Sequence, residues 1–217
     1  MKRRIVLLGP PASGKGTQSE LIQRKFQIPA TSTGAILRRE AKLNTAVGRE
    51  ADRIISKGAL APDDLVLALV GRWLDQHPEA FLFDGFPRTV PQATAFEQML
   101  QSRQTPGDLA IFLEASEPTI AFRMAHRLTC SNCGKVVSIG RHVQSASEPC
   151  PNCGGKLEVR SDDNRSALAL RLEEFQKKSL PLIDFYSERD LLVTVDADQE
   201  ADLVFEQISR AIQEWSR

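Results

Sequence analysis

Gly9-Pro10-Pro11-Ala12-Ser13-Gly14-Lys15-Gly16-Thr17 combines three glycines, one lysine and a terminal hydroxyl in nine residues. Such a segment can hold a phosphate. Glycines let backbone N–H groups converge on anionic oxygens with no Cβ in the way. A helix opening at the end of the segment adds further donors and the positive end of its dipole. Lys15 supplies a mobile charge that can reach the β- and γ-phosphates of a nucleotide, and Thr17 a hydroxyl near the phosphates or their metal. The pattern G-x-x-x-x-G-K-G-T is close to the P-loop, with Gly16 where Ser or Thr is usual.

Four cysteines form the second chemical cluster. Cys130-Ser131-Asn132-Cys133-Gly134 and Cys150-Pro151-Asn152-Cys153-Gly154 are matched halves, with sixteen residues between Cys133 and Cys150. Each C-x-x-C turn presents two thiolates to one ion, and the following Gly permits the tight turn. Four protein ligands leave no open position, so the expected Zn²⁺ is structural; iron also occupies tetrahedral thiolate sites. The surrounding stretch, Arg127 to Arg160, is rich in Cys, Gly, Ser and Pro and poor in large apolar residues. It is expected to lack a hydrophobic core of its own and to use the metal instead. Clustered cysteines without an export signal argue against a secreted disulfide framework.

These groups need a scaffold. Arg4 to Leu8 is a short apolar run stopped by Gly9, as in a strand buried on both faces. Phe81-Leu82-Phe83 (ending at Asp84-Gly85), Leu109 to Leu113 and Leu191 to Val195 read as further strands, and Ala30 to Ser32 as a short fifth. Gly16 to Phe26 has helical spacing, and Ala201 to Trp215 is an amphipathic helix. Strands separated by helices imply right-handed parallel crossovers, hence a doubly wound α/β fold with a five-stranded parallel sheet. Thr33 to Ala61 is helical in character without a strand. The 217 residues suffice for a substantial core, and 28 basic residues balance 28 acidic ones, which argues against a nucleic-acid or membrane-surface binder. No apolar run spans a bilayer and no signal peptide is legible, pointing to a cytoplasmic protein.

The G-K-G-T variant, Ser32-Thr33-Gly34 with Arg38, Asp84-Gly85-Phe86-Pro87-Arg88 with Gln92, the pair Arg123 and Arg127, and Arg160-x-Asp162-Asp163 with Arg171 occur in this order. In these motifs the chain resembles the adenylate kinases along nearly its full length. The resemblance implies transfer of a phosphoryl group from Mg²⁺-bound ATP to AMP, giving ADP. It implies ATP contacts from Gly9, Pro10, Ala12, Ser13, Gly14, Lys15, Gly16, Thr17, Arg123 and Arg127. It implies AMP contacts from Thr33, Gly34, Arg38, Gly85, Arg88, Gln92, Arg160 and Arg171. Lys15, Asp84, Arg88, Arg123, Arg127, Arg160 and Arg171 form the expected catalytic group. Arginine suits the task because its planar fork pairs two phosphate oxygens at fixed geometry. Asp84 would hold Mg²⁺ through water. Gln92 carries a donor and an acceptor for an adenine edge, and Thr33 is the other base-reading candidate.

The resemblance also implies a core of residues 1–32, 62–126 and 164–217, an AMP-binding insert at 33–61, a zinc-bearing lid at 127–163, and a monomer. Two positions depart from the family pattern. Ala35 replaces the common Asp after S-T-G and puts capping of the local helix in question. Val137-Ser138 replace an aromatic–histidine pair in the lid. His77, His126 and His142 have no motif partner and read as structural or solvated, as do Arg103, Arg210 and Arg217 for the cations. No general base is expected, because the acceptor is already an anion. A UMP or CMP kinase is the nearest rival. A zinc-ribbon nucleic-acid module and a non-catalytic nucleotide sensor are rivals from other classes.

Overall fold

The computed structural model describes residues 4–42, 48–49, 61–105, 109–159 and 165–215. Strands β1 (Arg4–Leu8), β2 (Ala30–Ser32), β3 (Phe81–Asp84), β4 (Leu109–Glu114) and β8 (Leu192–Asp196) form one sheet in the order β2-β3-β1-β4-β8, parallel at every pairing. All five lie where the apolar runs place them, the last shifted by one residue. Their continuity follows from burial on both faces.

Alternate residues of the strands feed two separate cores, as the period of two requires. Val6, Leu8, Phe81, Phe83, Ala110 and Phe112 face one way. There they meet α3 (Asp63–Gln76), α4 (Val90–Ser102) and α7 (Leu182–Ser187). Ile5, Leu7, Leu82, Leu109, Ile111 and Leu113 face the other way, towards α1 (Lys15–Phe26) and α8 (Ala201–Trp215). Val204, Ile208 and Ile212, spaced by four, supply the buried stripe of α8. The result is a three-layer doubly wound α/β fold.

Capping fixes where the helices begin. Thr89 opens α4 by accepting the Gln92 N–H at 3.2 Å, and Ser116 opens α5 (Glu117–Ala125) by accepting that of Thr119. At α2 (Thr33–Lys42), Ser32 Oγ accepts the Ala35 N–H at 3.0 Å. The cap that Ala35 puts in question is thus supplied one residue before the helix.

A second, antiparallel sheet of β5 (Arg127–Cys130), β6 (Val136–Ser138) and β7 (Leu157–Glu158) carries the cysteine turns, with β5 in the middle. Contrary to the sequence expectation, this segment does build a core. Leu128, Val137, Val143 and Leu157 bury together with Cys130 and Cys150. It remains small, and two of its six members are cysteines. Val137 is fully buried in it. After β7 the chain continues through α6 (Arg165–Glu174) and a five-residue π-helical turn at Phe175–Ser179 into α7. The segment 43–47, residue 50 and the segment 51–60 of the expected insert, and Arg160, Asp162 and Asp163, lie outside the described residues.

Candidate active site

The site grows from the carboxyl ends of the central strands, where open α/β sheets bind ligands. Register places Asp84, the last residue of β3, beside Leu7 of β1, and the Gly85 N–H continues the ladder to the Leu7 carbonyl at 3.2 Å. One residue beyond β1 the phosphate loop begins. Gly9 is needed there: its φ is +147°, and a Cβ would stand 2.7 Å from Ser13 Oγ and 2.8 Å from the Leu113 carbonyl oxygen. Gly14, at φ 102°, is the N-cap residue of α1. The loop therefore delivers its backbone to a helix N-terminus, the arrangement that binds anions.

Lys15 opens α1, and its Nζ donates to the carbonyls of Gly9 and Pro10, each at 2.8 Å. The ammonium is thus held against the loop. Burial pulls its pKa down to about 8; Asp84 opposes that shift, while the positive charges of Arg88, Arg171 and Arg127 add to it. Four cations and one carboxylate from motifs far apart in the sequence are electrostatic neighbours here. A Cβ on Gly16 would lie 3.7 Å from Asp84 Oδ2, and one on Gly85 3.8 Å from an Arg88 guanidinium nitrogen and 3.9 Å from Lys15 Cε. Arg88 is tied back by its Nε donating to the Gly85 carbonyl at 3.0 Å, and Ser179 Oγ donates to the Arg88 carbonyl at 2.8 Å. Burial raises the pKa of Asp84, countered by Lys15 and Arg88, and burial with Arg171 lowers that of Arg88. Such mutual repulsion among cations is tolerable where an anion is to arrive.

Arg123 occupies a different place. Its guanidinium donates to the Ser13 carbonyl at 3.0 Å, to Ala197 at 2.7 Å and to Gln199 at 3.2 Å. It joins the phosphate loop to the turn after β8, away from the cations grouped around Lys15. Thr33, buried, starts α2 beside the end of β3, with Gly34 following. Gln92 is buried on α4, bonded to the Arg88 N–H and to Asp63. Arg38 lies on α2, but its side chain, like all of Arg160, lies outside the described parts. His77 stacks on Trp73 at 4.0 Å between ring centroids, His126 packs on Phe122, and His142 Nδ1 accepts the Ser138 N–H at 3.0 Å. Arg103 bonds Asp75 at 2.7 Å on the surface. Sequence reasoning missed Asp63, and also Arg141 and Lys135, which reach from the cysteine-bearing sheet to Asp202 of α8 and Glu20 of α1 at 3.5 and 3.6 Å.

The four cysteine sulfurs lie within 4.8 Å of one another. The Cys130–Cys153 separation is 3.5 Å and Cys133–Cys150 is 3.8 Å. Tetrahedral Zn–S bonds of about 2.3 Å demand sulfur separations of about 3.8 Å, so the donor set fits such an ion. The two knuckles are local copies: the N–H of Gly134 bonds the Cys130 carbonyl at 2.9 Å, and that of Gly154 the Cys150 carbonyl at 2.8 Å. The Lys135 backbone N–H holds the Cys133 thiol down at about 6, and the Cys133 N–H lowers that of Cys130. The hydrogen bonds shared with Cys133 and Cys130 push Cys153 up to about 11, so that thiolates at all four positions call for a bound cation.

Around Lys15, the described groups that converge are cations and one carboxylate. Such a set suits phosphoryl transfer between two anions, which needs positioning and charge neutralisation more than a protein nucleophile. Fold and site together define a P-loop phosphotransferase acting on nucleotides. The sequence comparisons narrow the class. The family model described as adenylate kinase matches residues 7–191. Adenylate kinase of Clostridium tetani is 39% identical over 210 residues, 96% of this chain and 97% of that protein. That of Clostridium novyi is 39% identical over 212 residues, covering 97% and 98%, and that of Methanosarcina acetivorans 36% over 214, covering 98% and 99%. The chain belongs to the adenylate kinase family.

Proposed function

We propose that this chain transfers the terminal phosphoryl group of Mg²⁺-bound ATP to AMP, reversibly, giving two ADP. The observation that carries the reading is the grouping of Lys15, Asp84, Arg88, Arg127 and Arg171 at the mouth of a glycine-lined helix N-terminus. The loop residues Gly9 to Thr17 bind the donor phosphates through backbone donors. Lys15 leaves the Gly9 and Pro10 carbonyls to follow the phosphate that moves. Arg88, bonded to the Gly85 carbonyl, is positioned for the acceptor phosphate, and Arg127 and Arg171 approach the transferring group from the elements flanking the lid. Arg38 and Arg160 complete the set. Mg²⁺, brought with ATP, neutralises charge between the donor phosphates when bound, and Asp84 is the carboxylate beside the loop suited to hold it through water. Arg123, bonded across the loop to the turn at Ala197 and Gln199, offers its flat face to the donor base.

Residues 33–61 form the AMP-side insert and residues 127–163 a lid over the ATP side. The lid's Cys130, Cys133, Cys150 and Cys153 hold structural Zn²⁺. Closure excludes water, which would otherwise accept the phosphoryl group. Gln92 and Thr33 read the acceptor base. Among the described residues no helix is long and apolar enough to cross a membrane. The test is ADP formation from Mg·ATP with AMP, UMP, CMP or GMP as acceptor. AMP is expected to be preferred by at least about tenfold, on the scale of one well-made polar base contact. Comparable rates with a pyrimidine nucleotide would refute the assignment.

A further inference from the structure

The Gln92 side chain is 5% exposed, and both ends of its carboxamide are engaged. Oε1 accepts the Arg88 backbone N–H at 2.9 Å, and Nε2 donates to Asp63 Oδ1 at 2.6 Å. The other carboxylate oxygen of Asp63 accepts the Thr89 hydroxyl at 3.4 Å. Asp63 is the first residue of α3, 29 positions from Gln92, and it links the start of that helix to the start of α4.

A carboxamide is nearly symmetric in shape, but exchanging its oxygen and nitrogen reverses donor and acceptor. Here the exchange would set an N–H against the Arg88 N–H and an oxygen against the Asp63 carboxylate. Asp63 and Arg88 thus hold one orientation from opposite ends. After these bonds Nε2 retains one hydrogen and Oε1 one lone pair for a ligand. One donor with one acceptor complements a 6-aminopurine, whose amino group adjoins a ring-nitrogen acceptor. A 6-oxopurine offers either two acceptors or the reversed pair, which needs the opposite carboxamide orientation.

We propose that Asp63 is a positioning residue for base selection: it holds Gln92 in the orientation that accepts a 6-aminopurine nucleotide and disfavours a 6-oxopurine one. The proposal rests on the reading of Gln92 as a base contact in the AMP site. Its test compares kcat/KM for AMP and IMP in the parent and in Asp63→Ala, Asp63→Asn and Asp63→Glu. Asn keeps the reach and an acceptor oxygen without the charge, whereas Glu keeps the charge at the wrong reach. The AMP-to-IMP ratio is expected to fall about tenfold in the Ala and Glu variants, mostly through KM for AMP, and to stay within about twofold of the parent in Asn.

Asp63 and Asp64 also place negative charge in the first turn of α3, which by itself steadies a helix. If that charge were the whole role, Glu would behave as the parent and Asn as Ala. That pattern, an unchanged ratio in Ala, or a parent ratio near one would overturn the proposal. Should the Ala variant fail to fold, judged by its melting curve, the Asn and Glu pair decides alone. A parent that phosphorylates UMP or CMP as well as AMP would instead undo the functional reading, and that is measured before any variant.

Discussion

At Lys15 the requirements of binding and of folding pull in opposite directions. The ammonium is useful because it is buried beside the phosphate loop among other cations, and burial first, with their repulsion second, leaves its proton held less firmly, at about 8 against an ordinary 10.5. Between those values the unfolded chain binds the extra proton and the folded chain does not. The cost of burying the charge is therefore full below pH 8 and fades as pH rises towards 10.5. Activity runs the other way, because the phosphates need the cation. We expect kcat/KM for Mg·ATP to fall as pH rises through about 8, and kcat to fall only at higher pH, since bound phosphate favours the ammonium. A pH–rate profile checks this, and a flat one across that range would contradict it. Lys15→Met is expected to lower kcat by about a hundred- to a thousandfold, read by the rate of ADP formation; unchanged turnover would remove Lys15 from the mechanism.

Among the elements, the strands were legible because burial on both faces leaves an unbroken apolar run, as in Arg4–Leu8 and Leu109–Glu114. The phosphate loop was legible because its parts are contiguous. What stayed hidden depends on neighbours remote in sequence. Asp63 has no motif of its own and acquires meaning only when α3 and α4 meet. The three carbonyl bonds of Arg123 come from two separate loops, and β6 and β7 are too short for a periodic signal. The aromatic cluster behind β3 was also invisible as a cluster, although each ring is plain in the sequence. Phe83, fully buried, touches Trp73, Phe81, Phe86 and Phe96 at ring separations of 5.1 to 5.6 Å. Phe83→Ala is expected to cost about 3–5 kcal/mol in a denaturant titration. In the cysteine-bearing sheet, a buried cluster of only six residues, two of them cysteines, leaves three short strands dependent on a further tie. Complete removal of the metal should lower the melting temperature, with the 127–159 amides losing hydrogen-exchange protection first. An unchanged melting curve would contradict a structural ion.

Across the whole molecule, ion pairs among the described residues that join the cysteine-bearing segment to the helices of the main sheet include Lys135–Glu20 and Arg141–Asp202, both partly exposed. Pairs of this kind are worth less than about 1 kcal/mol each, so the contact can be made and broken within a turnover. If opening of the proposed lid limits the rate, single-turnover phosphoryl transfer should outrun steady-state kcat; equal rates would place the limit in the chemistry. Such gating matters only if both nucleotides occupy one continuous site. The direct measurement is calorimetric titration with a dinucleotide whose two adenosines are joined by a five-phosphate chain. One molecule should bind per chain, displace both ATP and AMP, and bind at least about tenfold more weakly to Lys15→Met, the scale of one lost charge-assisted contact. Failure to bind, or displacement of only one of the two nucleotides, would contradict the account.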